Sequence, residues 1–322
     1  MNKIMKIIQE YIYLNKKFSF KIANNRILEI LFSRLAKFSF FEKKVIEFYK
    51  KKHNDIINIL EVNLEKFLKA YTYNNDINKD NEEKYIFSLW LQGYENAPVI
   101  VKKTIESQKK YAKKYGYNYI LLDEKNLYDF VNMPIELVEK YNTGKIDAIK
   151  YSDIIRTILL SEYGGVWLDS TIYLDCSEKL EYLESKFYTI RASGTEYYPR
   201  YVSNGRWALF CLAGEKNNIV FDFLKKIQLE YYRLYDSPID YYLIDYLMEI
   251  GYKNIDEIKL QVDSVLDNNK KLYYLVDNFS NTFNRENWNE ILEDTRIFKC
   301  SYKILIKKNK QTYYSMLIEN KL

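Results

Sequence analysis

The chain has 322 residues, 48% of them apolar and 29% charged, with 49 Lys/Arg against 44 Asp/Glu. That balance excludes a disordered or collagen-like chain, and the length points to one large domain or a main domain with an appendage. Three widely separated cysteines (Cys176, Cys211, Cys300) and a single histidine, His53, exclude a small disulfide scaffold and leave too few ligands for a Cys/His zinc cage.

The charge is unevenly spread. Residues 1–70 hold 15 Lys/Arg against 7 Asp/Glu, a surplus of eight, whereas residues 71–322 hold 34 against 37. The first 70 residues read as helices throughout: Ile4, Ile7, Ile8, Tyr11 and Ile12, then Ile27, Ile30, Leu31 and Leu35, recur at helical spacing with Lys and Arg between them. Segment 71–83, with Asn74-Asn75-Asp76 and Asn78-Lys79-Asp80-Asn81, is polar and turn-rich and reads as a linker. The expected division is therefore a basic helical extension over 1–75 and an α/β domain over 84–322. No stretch approaches the roughly 20 apolar residues of a membrane span, and the start lacks an apolar core followed by a small-residue cleavage site. With the sparse cysteines, these features lead to the expectation of a cytoplasmic protein. The 33 tyrosines accompany abundant Lys, Asn and Ile, which share A/T-rich codons, and are read as codon bias and not as an aromatic binding platform.

After the linker the pattern changes. Tyr85 to Leu91 is an apolar run fit for a buried strand, Pro98 opens a helical stretch through Tyr115, Gly116 caps it, and Tyr117 to Leu122 reads as a second strand. Asp147 to Tyr163 reads as a helix ended by Gly164-Gly165, and Val166-Trp167-Leu168 as a strand delivering Asp169, Ser170 and Thr171 to its carboxyl end. Strands alternating with helices predict a mostly parallel sheet whose ligands sit at the strands' carboxyl ends. Asp153 and Arg156, three apart, project from one helix face. A carboxylate at a strand end beside such a pair can hold a divalent cation or accept hydrogen bonds from sugar hydroxyls, or it is simply a surface salt bridge and a strand-terminal Asp. Spacing alone leaves these readings open.

Ser152-Asp153-Ile154-Ile155-Arg156, Leu159-Leu160 and Tyr163-Gly164-Gly165-Val166-Trp167-Leu168-Asp169-Ser170-Thr171 resemble the signature of the capsular polysaccharide synthesis proteins, relatives of the DXD-motif sugar transferases with a GT-A fold. The match extends through Trp90-Leu91-Gln92-Gly93, Ala97-Pro98, Ser107, Leu122-Asp123, Asn126, Pro134, Tyr141 and Lys145. Weaker echoes follow at Trp207, at Asp240-Tyr241-Tyr242-Leu243-Ile244-Asp245 and at Lys299-Cys300-Ser301-Tyr302-Lys303. It covers roughly residues 84–305.

The resemblance implies a Rossmann-like GT-A domain that moves a sugar from a nucleotide-sugar donor, expected to be UDP-linked, to a growing capsular polysaccharide or lipid-linked oligosaccharide. It implies donor-binding roles for Asp153 and Arg156, for Asp169 as the first Asp of the DXD motif, for Ser170 and Thr171 beside it, for Gln92, and for Trp90 near the base. Thr171 stands where the second Asp, the usual direct ligand of Mn²⁺ or Mg²⁺, would be, so a metal would rest on Asp169, on the diphosphate or on another carboxylate. Lys299 and Lys303 are candidates for contacts to the diphosphate, and Asp240 and Asp245 for the acceptor side or a general base. Relatives are mostly retaining. Protein glycosylation by a toxin-like transferase and a non-catalytic sugar-nucleotide-binding scaffold are the alternatives. The basic residues 1–70 are expected to contact the inner face of the plasma membrane peripherally, and no nucleic-acid motif accompanies the charge.

Overall fold

The structure, a computed structural model, describes residues 3–74, 83–192, 200–304 and 311–322. Most of the expected linker, residues 75–82, lies outside the described residues.

Four helices come first: α1 (Lys3–Lys17), α2 (Phe20–Leu35), α3 (Glu42–Asn63) and α4 (Glu65–Ala70). The α/β region then runs β1 (Tyr85–Leu89), α5 (Val99–Tyr115), β2 (Asn118–Leu122), α6 (Leu127–Phe130), α7 (Ile135–Asn142), α8 (Ala148–Tyr163), β3 (Gly165–Leu168), β4 (Ile172–Leu174), β5 (Phe187–Thr189) and β6 (Cys211–Gly214). It continues through α9 (Ile219–Leu234), α10 (Leu243–Asn254), α11 (Asp256–Ser264), α12 (Tyr274–Asp277), α13 (Arg285–Asp294), β7 (Ile297–Lys299) and α14 (Tyr313–Ile318). The main sheet has the order β2-β1-β3-β6-β5. Its β1–β2 and β1–β3 pairs are parallel and its β3–β6 and β5–β6 pairs antiparallel, so β6 alone opposes the direction of the other four. The sequence-based expectation of a mostly parallel sheet thus holds, with one reversed strand that the residues did not announce. A separate antiparallel ribbon pairs β4 with β7, bringing Ile172 opposite Lys299.

Local chemistry sets the boundaries of the central elements. Pro98 stands at the N-terminal cap of α5, and Gly116 ends it in the left-handed region at φ 76°. The Asp147 side chain accepts from Lys150 N at 2.9 Å and caps α8. At its other end Gly164 and Gly165 have φ of 69° and 85°, and a Cβ on either would lie 2.5 Å from the backbone at Lys216 N or Tyr85 O. Only glycine lets the chain turn this tightly from α8 into the buried strand β3.

The N-terminal helices are not a detached appendage. Leu14, Ile22, Ile56, Ile57, Leu60 and Leu64 belong to the same buried apolar cluster as Ile86, Phe87, Val166 and Trp167 in the sheet. Polar fastenings reinforce this: Tyr13 Oη donates to Ser237 O at 3.0 Å, Tyr71 Oη to Asp222 at 3.0 Å, and His53 Nδ1 meets Tyr246 Oη at 2.8 Å. Among the described residues no helix is long and apolar enough to cross a membrane.

Candidate active site

Helix α8 and strand β3 place the charged residues. Lys150, Asp153 and Arg156 recur every three residues and so share one face of α8. Trp167 and Asp169 are two apart on the extended segment leaving β3, so their side chains project to the same side. The turn carrying Asp169 is held on several sides. Asp169 N donates to Phe210 O at 2.9 Å, Gln108 Nε2 of α5 donates to Asp169 O at 3.1 Å and to Ile172 O at 2.8 Å, and Thr104 Oγ1 donates to Ser170 O at 2.5 Å.

The side chains form an alternating row of charge. Lys150 Nζ lies 3.5 Å from Asp153 Oδ2, Arg156 Nη2 3.2 Å from Asp153 Oδ1 and 3.6 Å from Asp169 Oδ1, and Lys299 Nζ 2.8 Å from Asp169 Oδ2. Trp167 Nε1 donates to Asp169 Oδ1 at 3.1 Å, and its ring lies 5.2 Å from the Arg156 guanidinium, which also donates to Leu209 O at 2.6 Å. Three cations and two anions leave the row with a surplus positive charge in a region that is acidic overall. Burial raises the Asp153 carboxyl, helped by the negative Asp169 and opposed by Arg156 and Lys150. Burial also works to raise Asp169, but Lys299 and then Arg156 outweigh it and hold Asp169 below the usual range.

Two cavities share this row. One, of roughly 440 Å³, is lined by Trp90, Gln92, Ser152, Ser170, Thr171 and Tyr302. The other, of roughly 330 Å³, is lined by Lys150, Asp153, Trp207, Tyr241, Tyr242 and Asp245. Arg156 and Asp169 line both, so their ion pair stands at the partition. In the first cavity Trp90 packs edge-to-face on Tyr302 with centroids 5.7 Å apart. In the second, Trp207 Nε1 donates to Asp245 Oδ1 at 3.0 Å, and burial, against that hydrogen bond and with the neighbouring Asp153, pushes the Asp245 carboxyl up to about 7.

The structure thus brings Trp90, Gln92, Asp153, Arg156, Asp169, Ser170, Thr171 and Asp245 into the walls of the two cavities, and Lys299, which lines neither, joins them through its ion pair with Asp169. It does not do so for Asp240 or Lys303. Asp240 lines neither cavity: its carboxylate accepts from Tyr242 N at 2.9 Å and pairs with Lys52 of α3 at 2.7 Å. Lys52 and Tyr242 N together outweigh burial and keep it below the usual carboxylate range. An acceptor-side or base role for Asp240 is therefore corrected to a buried tie between α3 and the start of α10. Lys303 is exposed, its ammonium 5.7 Å from the Tyr302 ring and outside both cavities. Sequence reasoning missed Lys150, although its spacing from Asp153 repeats that of Arg156, and it missed Trp167 as a donor to Asp169.

A divalent cation needs several oxygen ligands free to reach it, carboxylates above all. Both Asp169 oxygens are engaged, by Lys299 on one side and by Trp167 and Arg156 on the other, and the neutral Thr171 replaces a second carboxylate. Among the described residues no three His, Cys, Asp or Glu side chains converge as a metal site. These residues do not fit a cation held by the protein itself.

No curated protein matches the chain. A solved structure titled PaToxG Glycosyltransferase is similar over 66% of this chain and 82% of its own, at 14% identity and a TM-score of 0.38. The family described as capsular polysaccharide synthesis protein matches residues 36–317, so its region begins before α3 and takes in α3 and α4, which the resemblance read from the sequence had left outside. With most of its length matched, the chain belongs to the capsular polysaccharide synthesis protein family.

Proposed function

We propose that the protein is a glycosyltransferase that moves a sugar from a nucleotide-sugar donor, UDP-linked in our reading, to a growing surface polysaccharide or lipid-linked oligosaccharide. The observation that carries this reading is the Arg156–Asp169 pair at the partition between two cavities. The cavity beside Trp90 and Thr171 suits the nucleotide and its diphosphate. The other serves as the acceptor cavity, receiving the donor's sugar at Asp153 beside the partition and the acceptor at Asp245, both carboxylates accepting from sugar hydroxyls.

In the reaction the bond between the anomeric carbon and the diphosphate oxygen breaks, its electron pair leaving with the diphosphate, and the acceptor hydroxyl oxygen bonds to that carbon. Negative charge grows on the departing oxygen. Arg156, which lines both cavities, and Lys299, paired with Asp169, are the fixed cations that stabilise it in a partly dehydrated site. We favour retention of configuration, in which the departing diphosphate oxygen takes the acceptor's proton. If configuration inverts, Asp245 is the base: its carboxyl lines the acceptor cavity and changes protonation near neutrality.

The test is transfer of labelled sugar from a panel of nucleotide sugars to purified lipid-linked oligosaccharide, to soluble polysaccharide and to protein acceptors. Label in a carbohydrate product supports the reading. Label confined to protein contradicts the acceptor class, and no turnover of any donor contradicts the enzyme.

A further inference from the structure

About half of the apolar residues of α1 and α2 are exposed. On α1, Ile4, Met5, Ile8 and Ile12 are 53% to 65% exposed, and on α2, Phe20, Ile27, Leu28 and Leu31 are 41% to 65% exposed. Tyr11 Oη donates to Asn24 Oδ1 at 3.1 Å and Arg26 pairs with Glu10 at 2.8 Å, so the two helices run antiparallel. Two turns from the Tyr11–Asn24 bond, Ile4 on one helix and Leu31 on the other come into register. One turn away, Ile8 matches Ile27 and Leu28. The stripes therefore flank one seam. Phe38 and Phe40, 60% and 88% exposed, follow α2 at the same end of the hairpin as Ile4.

Residues 1–40 carry eight Lys/Arg against two acids, Glu10 and Glu29, and both acids are paired with Arg26. Lys6, Lys16, Lys17, Lys21, Arg34 and Lys37 are exposed around the apolar stripe. An apolar face of this extent with a strongly cationic border matches a bilayer surface bearing anionic headgroups, into which the apolar side chains insert while the lysines meet phosphate.

We propose that the α1–α2 hairpin docks the enzyme on an anionic lipid surface through Ile4, Ile8, Ile27, Leu28 and Leu31. The hairpin is fastened to α3 by Lys21–Asp55 at 2.6 Å and by Glu29–Lys52 at 2.9 Å, and the same Lys52 holds Asp240 at 2.7 Å. Asp240 directly precedes Tyr241 and Tyr242, which line the proposed acceptor cavity. Docking thus fixes that cavity relative to the bilayer. This last step rests on the glycosyltransferase reading, whereas the docking itself does not.

The test is flotation of the full chain with phosphatidylcholine vesicles containing or lacking phosphatidylglycerol, alongside Ile8→Glu and Leu31→Glu. These are surface positions, so thermal melting and donor turnover in solution stay at the wild-type level. The expected result is wild-type binding to the anionic vesicles only, reduced about tenfold or more in either variant, because each change removes an inserting side chain and sets negative charge against the headgroups. The proposal is overturned if the wild type does not float with anionic vesicles or if both variants bind as well as it does. It is equally overturned if light scattering shows a dimer that the variants dissociate, since the face would then join two copies. Vesicle binding without turnover, or turnover without vesicle binding, separates failure of the catalytic reading from failure of this one.

Discussion

Replacing Lys299 with Met removes the cation closest to Asp169 while keeping most of the side chain's volume. The ammonium lies 2.8 Å from the carboxylate, with side-chain exposures of 20% for Lys299 and 30% for Asp169, so the site is partly shielded but not dry. At an effective dielectric of about 20, a unit charge about 4 Å away is worth about 4 kcal/mol, and deleting one fixed donor from a site of developing negative charge costs about 2.7–4 kcal/mol. The expected loss in kcat is therefore roughly 100- to 1,000-fold, with KM for the donor changed only a few-fold because the charge matters most as the diphosphate departs. Stability falls by no more than about 1 kcal/mol, since the pair is partly solvated. Lys299→Arg retains the charge and is expected to recover much of the rate. The assay is donor turnover in chelator, with melting curves to separate folding from catalysis. Wild-type turnover is expected to survive chelation. The reasoning is refuted if Lys299→Met keeps kcat within about threefold of wild type, or if chelation abolishes wild-type turnover and Mn²⁺ or Mg²⁺ restores it, since the leaving-group cation would then be a metal.

Asp245→Asn separates the two stereochemical outcomes. If Asp245 is the base, the wild-type rate rises with pH through the carboxyl's value of about 7, because only the ionised form accepts a proton, and that limb disappears in the variant. A limb unchanged in Asp245→Asn, with the product's anomeric configuration retained by NMR, assigns the carboxylate to acceptor binding. Lys52→Met leaves Glu29 and Asp240 without their shared cation in a buried setting, and is expected to destabilise the fold by about 3–5 kcal/mol in denaturant melts. The folded-state value of Asp240 is depressed, so its contribution is present above the ordinary Asp range and is lost as pH falls through the folded value. Lys52→Met should weaken that acid sensitivity, and a variant melting like the wild type would contradict the tie.

What the sequence made legible was local. The helix α8 showed itself through its Asp147 cap and the Gly164-Gly165 stop, and β1, β2 and β3 through short apolar runs beside turn residues. The three-residue strands β4 and β7 have no period to detect, yet their pairing lies beside the contact of Lys299 with Asp169 across 130 positions. The partner of Asp240 was hidden for the same reason, because Lys52 lies at the far end of the chain and no local pattern points to it. Helical periodicity in residues 4–35 revealed amphipathic helices but not which apolar stripes the fold would leave uncovered. Asp153 and Arg156 were found because spacing and resemblance agreed on them. Lys150, on the same face, lies just outside the matched motif, and in a lysine-rich chain its residue type alone does not single it out.

The central claim is that a nucleotide-sugar donor sits at the Asp153–Arg156–Asp169 partition. Its most direct test is thermal stabilisation and hydrolysis of a nucleotide-sugar panel by the wild type, Asp153→Ala and Arg156→Ala, each with chelator and with Mn²⁺. The account predicts that at least one donor stabilises and is hydrolysed by the wild type, and that both variants lose hydrolysis by roughly 100-fold or more while melting as folded proteins. Variants that hydrolyse the donor near the wild-type rate would contradict it.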